Sequence, residues 1–206
     1  MFSWSMPADP VTRDGLLLVN APSRAAWRAW LTAHHSQAES IWLVLNRRGS
    51  GLPHLPAAEA AEEALCFGWI DSRPAKLDAQ RSLLLVSPRR PGSAWSGVNK
   101  QRVERMLAEG LMAAPGLATI ERAKADGSWT RLDDASALIE PADLLAALSD
   151  GALAAWRGFP PSHRRANLEW IAQAKTAGTR GARIAEIARL ADLGERANTW
   201  RRKPAL

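Results

Sequence analysis

The distribution of strand-length apolar runs divides this chain into two parts. Short apolar runs bounded by turn residues lie at 15–19, 41–45, 69–72 and 82–86, whereas the patterns beyond residue 92 are helical. Runs of this length favour strands, and the last two are close enough to pair as a hairpin. We therefore predict an α+β fold, in which a small mixed or antiparallel sheet packs with helices and is followed by a C-terminal helical module.

Capping residues and prolines set the predicted helix boundaries. Ser23 can cap the first helix, Pro56 suits the first turn of the second, and Gly68 can end it. Ser162 and Thr179 are the predicted N-caps of the last two helices. The predicted helices before these last two span 24–34, 57–67, 96–109, 115–126, 141–148 and 153–157.

Length and composition are those of a globular protein, with 206 residues of which 47% are hydrophobic and 23% charged. We expect two domains, over 15–135 and 141–193, flanked by terminal arms over 1–14 and 194–206. The first residues lack the basic and apolar pattern of a secretory signal, and no run approaches the ~20 apolar residues of a membrane span. The sequence therefore predicts a cytoplasmic protein without a membrane span.

The positive charge is concentrated near the C-terminus. Residues 1–156 contain 16 Lys and Arg against 17 Asp and Glu, whereas residues 157–206 contain 11 against 4. Such a segment can attract an anionic partner, although solvated arginines on helices are common without one.

Several kinds of site are excluded or disfavoured. The four histidines have no ligand spacing, so no metal site is predicted. Gly49-Ser50-Gly51 follows a strand but lacks the rest of a phosphate-binding motif, so it predicts only a turn, and no cofactor is expected. Cys66, the single cysteine, lies among apolar residues and is interpreted as a small core residue.

The candidate site lies in an aperiodic stretch between residues 64 and 99. Its Ser-Pro-Arg-Arg-Pro-Gly-Ser segment places arginines before a helix start, and both features favour anions. The expected roles are Trp69 and Trp95 as walls, Arg89 as the anion contact, Asp71 as an orienting carboxylate, and Ser93, Ser96 and Asn99 as hydrogen-bond donors. These residues predict a pocket for a small anionic ligand or a protein partner.

Two alternatives remain open from the residues alone. Asp71, after an apolar run, could instead serve as the general base of an enzyme of unknown class. Lys175, Arg180 and Arg183 could converge into a basic patch that binds an anionic surface or docks onto the acidic N-terminal part. Nucleic acid is not the expected partner, because no base-reading motif or stacking pattern is present. The oligomeric state is left open.

Four segments together resemble the bacterial YdeI/OmpD-associated (OmdA) family. The resemblance covers most of the chain, from about Gly15 to Leu193, and the part from about Pro141 onward resembles the OmdA domain itself. In the last segment, Gly178 stands where an acidic residue is usual. The segments are Glu62–Ser72, Ser87–Lys100, Glu109–Trp129 and Trp170–Arg180.

The resemblance implies a role in stress or resistance, described as bacteriocin protection or tolerance of cationic antimicrobial peptides. It brings neither an established reaction nor a catalytic set. The leading hypothesis is therefore a YdeI-like protein that binds a small anionic ligand or partner near residues 69–99.

Overall fold

The computed structural model describes residues 12–199 and divides into two compact units. Within the described residues, the first unit comprises 12–93 together with 98–126, and the second comprises 94–97 together with 127–199. The elements are β1 (Thr12–Arg13), β2 (Leu16–Asn20), α1 (Arg24–His34), β3 (Ile41–Asn46), α2 (Ala57–Cys66), β4 (Trp69–Lys76), β5 (Arg81–Pro88), α3 (Gly97–Ala108), α4 (Ala114–Ala125), α5 (Asp133–Ser136), α6 (Ala142–Ala147), α7 (Asp150–Gly158), α8 (Pro161–Ala172) and α9 (Ala177–Asp192).

A five-stranded mixed sheet lies at the centre of the first unit, with strand order β1-β2-β3-β5-β4. β2 and β3 are parallel and are connected through α1, whereas the other neighbouring strands are antiparallel. The predicted α+β class, the mixed sheet and the β4–β5 hairpin are confirmed. Thr12 and Arg13, which the sequence placed in a terminal arm, pair with β2. Residues 1–11 and 200–206 of the predicted arms lie outside the described residues.

The two faces of the sheet carry different apolar clusters. Successive side chains of a strand point to opposite faces. Ile41, Leu43 and Leu45 of β3 belong to the main core with α1 and α2. Trp42 and Val44 belong to a second cluster, which contains Leu83 of β5 on the opposite face. This alternation assigns every residue of β4 and β5 near the candidate site to one face or the other.

Local sequence accounts for α1. Trp27, Trp30 and Leu31 are buried and lie on one side of the helix, as their spacing predicts. The rings of Trp27 and Trp30 are stacked with centroids 5.2 Å apart. The Ser23 side chain accepts a hydrogen bond from the Ala26 amide at 3.2 Å, which confirms the predicted N-cap.

The second unit is a helical assembly in which α9 packs against α6, α7 and α8. Its core contains Trp156, Leu168, Ile171 and Ile187, all at most 3% exposed. The indole N–H of Trp156 donates to Glu140 Oε1 at 2.8 Å, so this buried donor is satisfied.

Two predicted N-caps in this unit are wrong. α8 begins at Pro161 with Pro160 as its N-cap, so Ser162 lies inside the first turn. Proline lacks an N–H and fits the first helical position, which moves the helix start ahead of Ser162. α9 is capped by Thr176, whose side chain accepts from the Thr179 amide at 3.1 Å. Thr179 is therefore in the first turn of α9.

Candidate functional site

A groove of about 590 Å³ lies in the first unit where β5 leads into the loop after residue 88. Ile70 and Ser72 of β4 and Leu85 and Ser87 of β5 line it. Because Val86 faces the main core, Leu85 and Ser87 point to the opposite sheet face. The groove therefore opens away from α1 and α2. Its other lining residues are Ala38, Ser40, Pro88, Arg89, Arg90, Pro91 and Ser93.

Serine hydroxyls make the groove polar along one side. Ser40 precedes β3, and its hydroxyl lies 2.8 Å from that of Ser87 on the neighbouring strand. The Ser72 hydroxyl donates to the Leu85 carbonyl at 3.3 Å. Ser93 closes the loop, because its hydroxyl donates to the Arg90 carbonyl at 2.7 Å. Such hydroxyls can reorient to donate to an anion.

Arg89 brings a largely buried positive charge to this groove. The residue is only 9% exposed, and its Nη2 donates to the Ser93 carbonyl at 3.3 Å. Its backbone N–H donates to the Gly68 carbonyl at 2.9 Å, which fixes the chain at the end of β5. Burial lowers the pKa of Arg89 to about 10, so the guanidinium remains a cation at neutral pH. The neighbouring Arg90 is exposed.

Trp69 and Asp71 do not line the groove. Trp69 is 1% exposed within the main core, where its indole N–H donates to the His35 carbonyl at 3.0 Å. Asp71 is two residues further along β4 and pairs with Val86. It therefore shares the side of the strand that carries Trp69 rather than Ser72. The strand separates this carboxylate from the groove lining.

The remaining candidates lie in other surroundings. Trp95 and Ser96 belong to the second unit. Trp95 is buried there, with its ring centroid 4.9 Å from that of Trp129. Asn99 is on α3, where its Oδ1 accepts from Arg102 Nη1 at 3.0 Å. Of the seven candidates, the structure brings Arg89 and Ser93 together in the groove.

The three residues of the predicted basic patch do not share a common binding surface, because each has different surroundings. Arg180 of α9 forms a two-contact ion pair with Asp143 of α6, with Nε–Oδ2 at 2.6 Å and Nη2–Oδ1 at 2.8 Å. Arg183 instead donates to the Trp170 carbonyl, and its guanidinium lies 5.2 Å from the centre of the Trp170 ring. Lys175 is exposed before α9. The two arginines are thus used within the helical unit.

Substituting Asp143 with Asn should weaken the second unit in a pH-dependent way. The hydrogen bond from Arg180 lowers the pKa of Asp143 below its ordinary value of 3.8. The carboxylate therefore stabilises the folded state above pH 3.8, and this contribution is lost as the pH falls through the lowered pKa. Because the pair is partly exposed, the expected loss at pH ~7 is about 0.5 kcal/mol. Urea unfolding of both proteins should differ at pH ~7 and converge near pH ~2; a difference that does not change with pH would contradict this origin.

A buried charge cluster in the first unit was missed by the sequence reasoning. Glu62 and Glu63 of α2 are 7% and 1% exposed. Glu63 accepts from Arg24 Nε at 2.6 Å and from Arg28 Nη1 at 2.7 Å. Glu62 pairs with Arg105 of α3 and lies 3.3 Å from Arg24 Nη1. Two adjacent glutamates within an alanine-rich helix are the only sequence signal for this cluster, and the helix dipole alone also favours acidic residues near the start of a helix.

Two further properties bear on the kind of site present. Among the described residues, no group of three or more His, Cys, Asp or Glu side chains could hold a metal ion. No helix within residues 12–199 is long and apolar enough to cross a membrane.

The fold defines an α+β protein in which a mixed-sheet unit is joined to a helical unit. Residues 137–194 match the family described as "Bacteriocin-protection, YdeI or OmpD-Associated", so the resemblance is confirmed over this segment. Residues 19–119 match a second family, described as "Domain of unknown function (DUF8412)". No significant match was found among curated proteins or solved structures.

Proposed function

We propose that this protein takes part in bacteriocin protection and that its first unit binds a small anionic ligand in the groove beside Arg89. The family of residues 137–194 supports the first part of the proposal. The second part rests on one observation, the buried guanidinium of Arg89 at the end of a serine-lined groove. A cation held in partly desolvated surroundings interacts more strongly with an anion than an exposed cation does.

The groove chemistry favours an anion that also carries an apolar portion. Arg89, Arg90 and Ser93 lie where the chain leaves β5, and the hydroxyls of Ser40 and Ser87 continue along the sheet. The side chains of Ile70, Leu85, Pro88 and Pro91 supply apolar surface beside them. A cavity of about 590 Å³ falls within the range of small-molecule sites. Phosphate and carboxylate groups both accept paired hydrogen bonds from a guanidinium.

No contact supports either of the two alternative functions predicted from the sequence, Asp71 as a general base and a surface-binding basic patch. The carboxylate of Asp71 forms no hydrogen bond or ion pair with another described residue, and it lies on the other side of β4 from the groove lining. Arg180 and Arg183 already have partners within the helical unit. The base and surface-binding roles stay predictions.

Inorganic phosphate should raise the melting temperature of the protein through the Arg89 groove. At a tenfold excess over the dissociation constant, the expected rise is about 4 °C. Arg89→Gln should abolish this rise because it removes the cation, and Ser72→Phe should abolish it by filling the groove from its exposed side. Arg48→Gln is the matched control, since Arg48 is an exposed arginine outside the groove.

The comparison uses differential scanning fluorimetry with phosphate at constant ionic strength. Circular dichroism reports whether each variant keeps its secondary structure. If Arg89→Gln fails to fold, Ser72→Phe decides, because Ser72 is exposed and lies outside the core. A rise as large in Ser72→Phe as in the unaltered protein would refute binding in this groove.

A further inference from the structure

A second cavity, of about 290 Å³, lies within the helical unit. Ala172 of α8 and Ile139 supply its accessible apolar surface, and the buried side chains of Leu168 and Ile171 also line it. Ile139 is 55% exposed, so part of its side chain is accessible at the cavity. The cavity thus contains apolar surface that a ligand could cover.

Arg180 stands at the rim of this cavity with one edge of its guanidinium in use. Nε and Nη2 donate to the two oxygens of Asp143, at 2.6 and 2.8 Å, in a side-on pair. The end-on edge consists of Nη1 and the second N–H of Nη2. Within the described part of the chain, this edge makes no hydrogen bond. The Asp143 contact already holds the guanidinium in place. Binding of a ligand to the open edge would therefore cost little further side-chain entropy at Arg180.

The geometry of the open edge and the local charge both favour a carboxylate. Two parallel N–H groups match the two oxygens of one carboxylate. The charged side chains at the rim, Arg131, Asp134 and Arg180, sum to zero together with Asp143. A monoanion therefore adds a single charge to the site, whereas a phosphate dianion would bring nearly two.

We propose that this cavity binds a small hydrophobic carboxylate. Its carboxylate pairs with the end-on edge of Arg180, and its apolar body covers Ala172 and Ile139. The volume is just below the usual range for small-molecule sites, so the ligand is no larger than about an aromatic amino acid. This site is separate from the groove beside Arg89, and it would survive failure of the function proposed above.

Isothermal titration calorimetry of the full chain with 3-phenylpropionate tests the proposal. We expect millimolar binding, and the uncharged 3-phenylpropanamide should bind at least about tenfold more weakly because it lacks the charge-assisted pair. Ala172→Leu should abolish binding by filling the cavity without touching the Arg180–Asp143 pair. Ala146→Leu, the same change at an exposed position of α6 outside the cavity, should leave binding unchanged.

Three results would overturn the proposal. One is no heat of binding at about 10 mM 3-phenylpropionate. Another is equal affinity for the acid and the amide, which would remove the role of Arg180. The third is unchanged binding by an Ala172→Leu protein with a native circular dichroism spectrum.

Discussion

Replacing Glu63 with Ala is expected to destabilise the first unit by about 3–5 kcal/mol. The Glu63 side chain is 2% exposed and neutralises two guanidinium groups, those of Arg24 and Arg28. Each of these arginines keeps about a third of its side chain exposed. Removing the carboxylate leaves two positive charges close together, although Glu62 remains 3.3 Å from Arg24, and it also opens space inside the core.

Urea unfolding followed by tryptophan fluorescence measures this loss. Glu59→Ala is the matched control, because Glu59 lies one turn earlier on α2 and forms no ion pair with another described residue. We expect it to cost less than about 1 kcal/mol. Equal effects at the two positions would show that the charge cluster contributes no more than a surface carboxylate does.

Replacing Gly116 with Ala is expected to cost about 3 kcal/mol. A Cβ at this position of α4 would lie 2.2 Å from the carbonyl oxygen of Cys66 and 2.9 Å from that of Leu65. Both atoms belong to the backbone of α2, so no side-chain rotation relieves the contact. The helices would have to separate, which would also strain the hydrogen bond from the Ala113 amide to the Cys66 carbonyl at 3.1 Å.

Gly181→Ala provides the opposite expectation at a helical glycine. Gly181 lies within α9, and a Cβ there meets no atom within 4 Å. Alanine is the better helix former, so we expect this variant to be up to about 1 kcal/mol more stable. Thermal unfolding of both variants measures the contrast. A Gly116→Ala protein as stable as the parent would mean that α2 and α4 can move apart at little cost.

Local features of the fold were predictable because they depend on neighbouring residues. The Ser23 cap of α1 and the pairing of β4 with β5 each follow from a few consecutive positions. The strand order β1-β2-β3-β5-β4 was not predictable, since it places β5 between two strands that both precede it in the chain. Competition between adjacent capping residues explains the shifted start of α9, because Thr176 and Thr179 both suit an N-cap.

The candidate site was likewise predictable only where it depends on residues close together in the sequence. Arg89 and Ser93 come together because they are four residues apart in one loop. Ser40 and Ser72 reach the groove through strand pairing, which the sequence alone does not specify. Asp71 lies away from the groove because Trp69, two residues earlier on β4, faces the core. The sequence does not decide which face of β4 is buried, because a tryptophan with polar neighbours can lie in the core or at its edge.

The excursion of residues 94–97 into the helical unit has a consequence for how this chain can be divided. The two family segments, 19–119 and 137–194, are successive in the sequence, yet the structural units are interleaved. A gene fragment that stops near residue 126 would retain Trp95 and remove Trp129 and the Ser128 carbonyl that accepts from the Trp95 amide. Exchange of one module by recombination would therefore leave a large aromatic ring without its packing partners. Recombination that transfers both modules as a single piece would keep Trp95 together with Trp129.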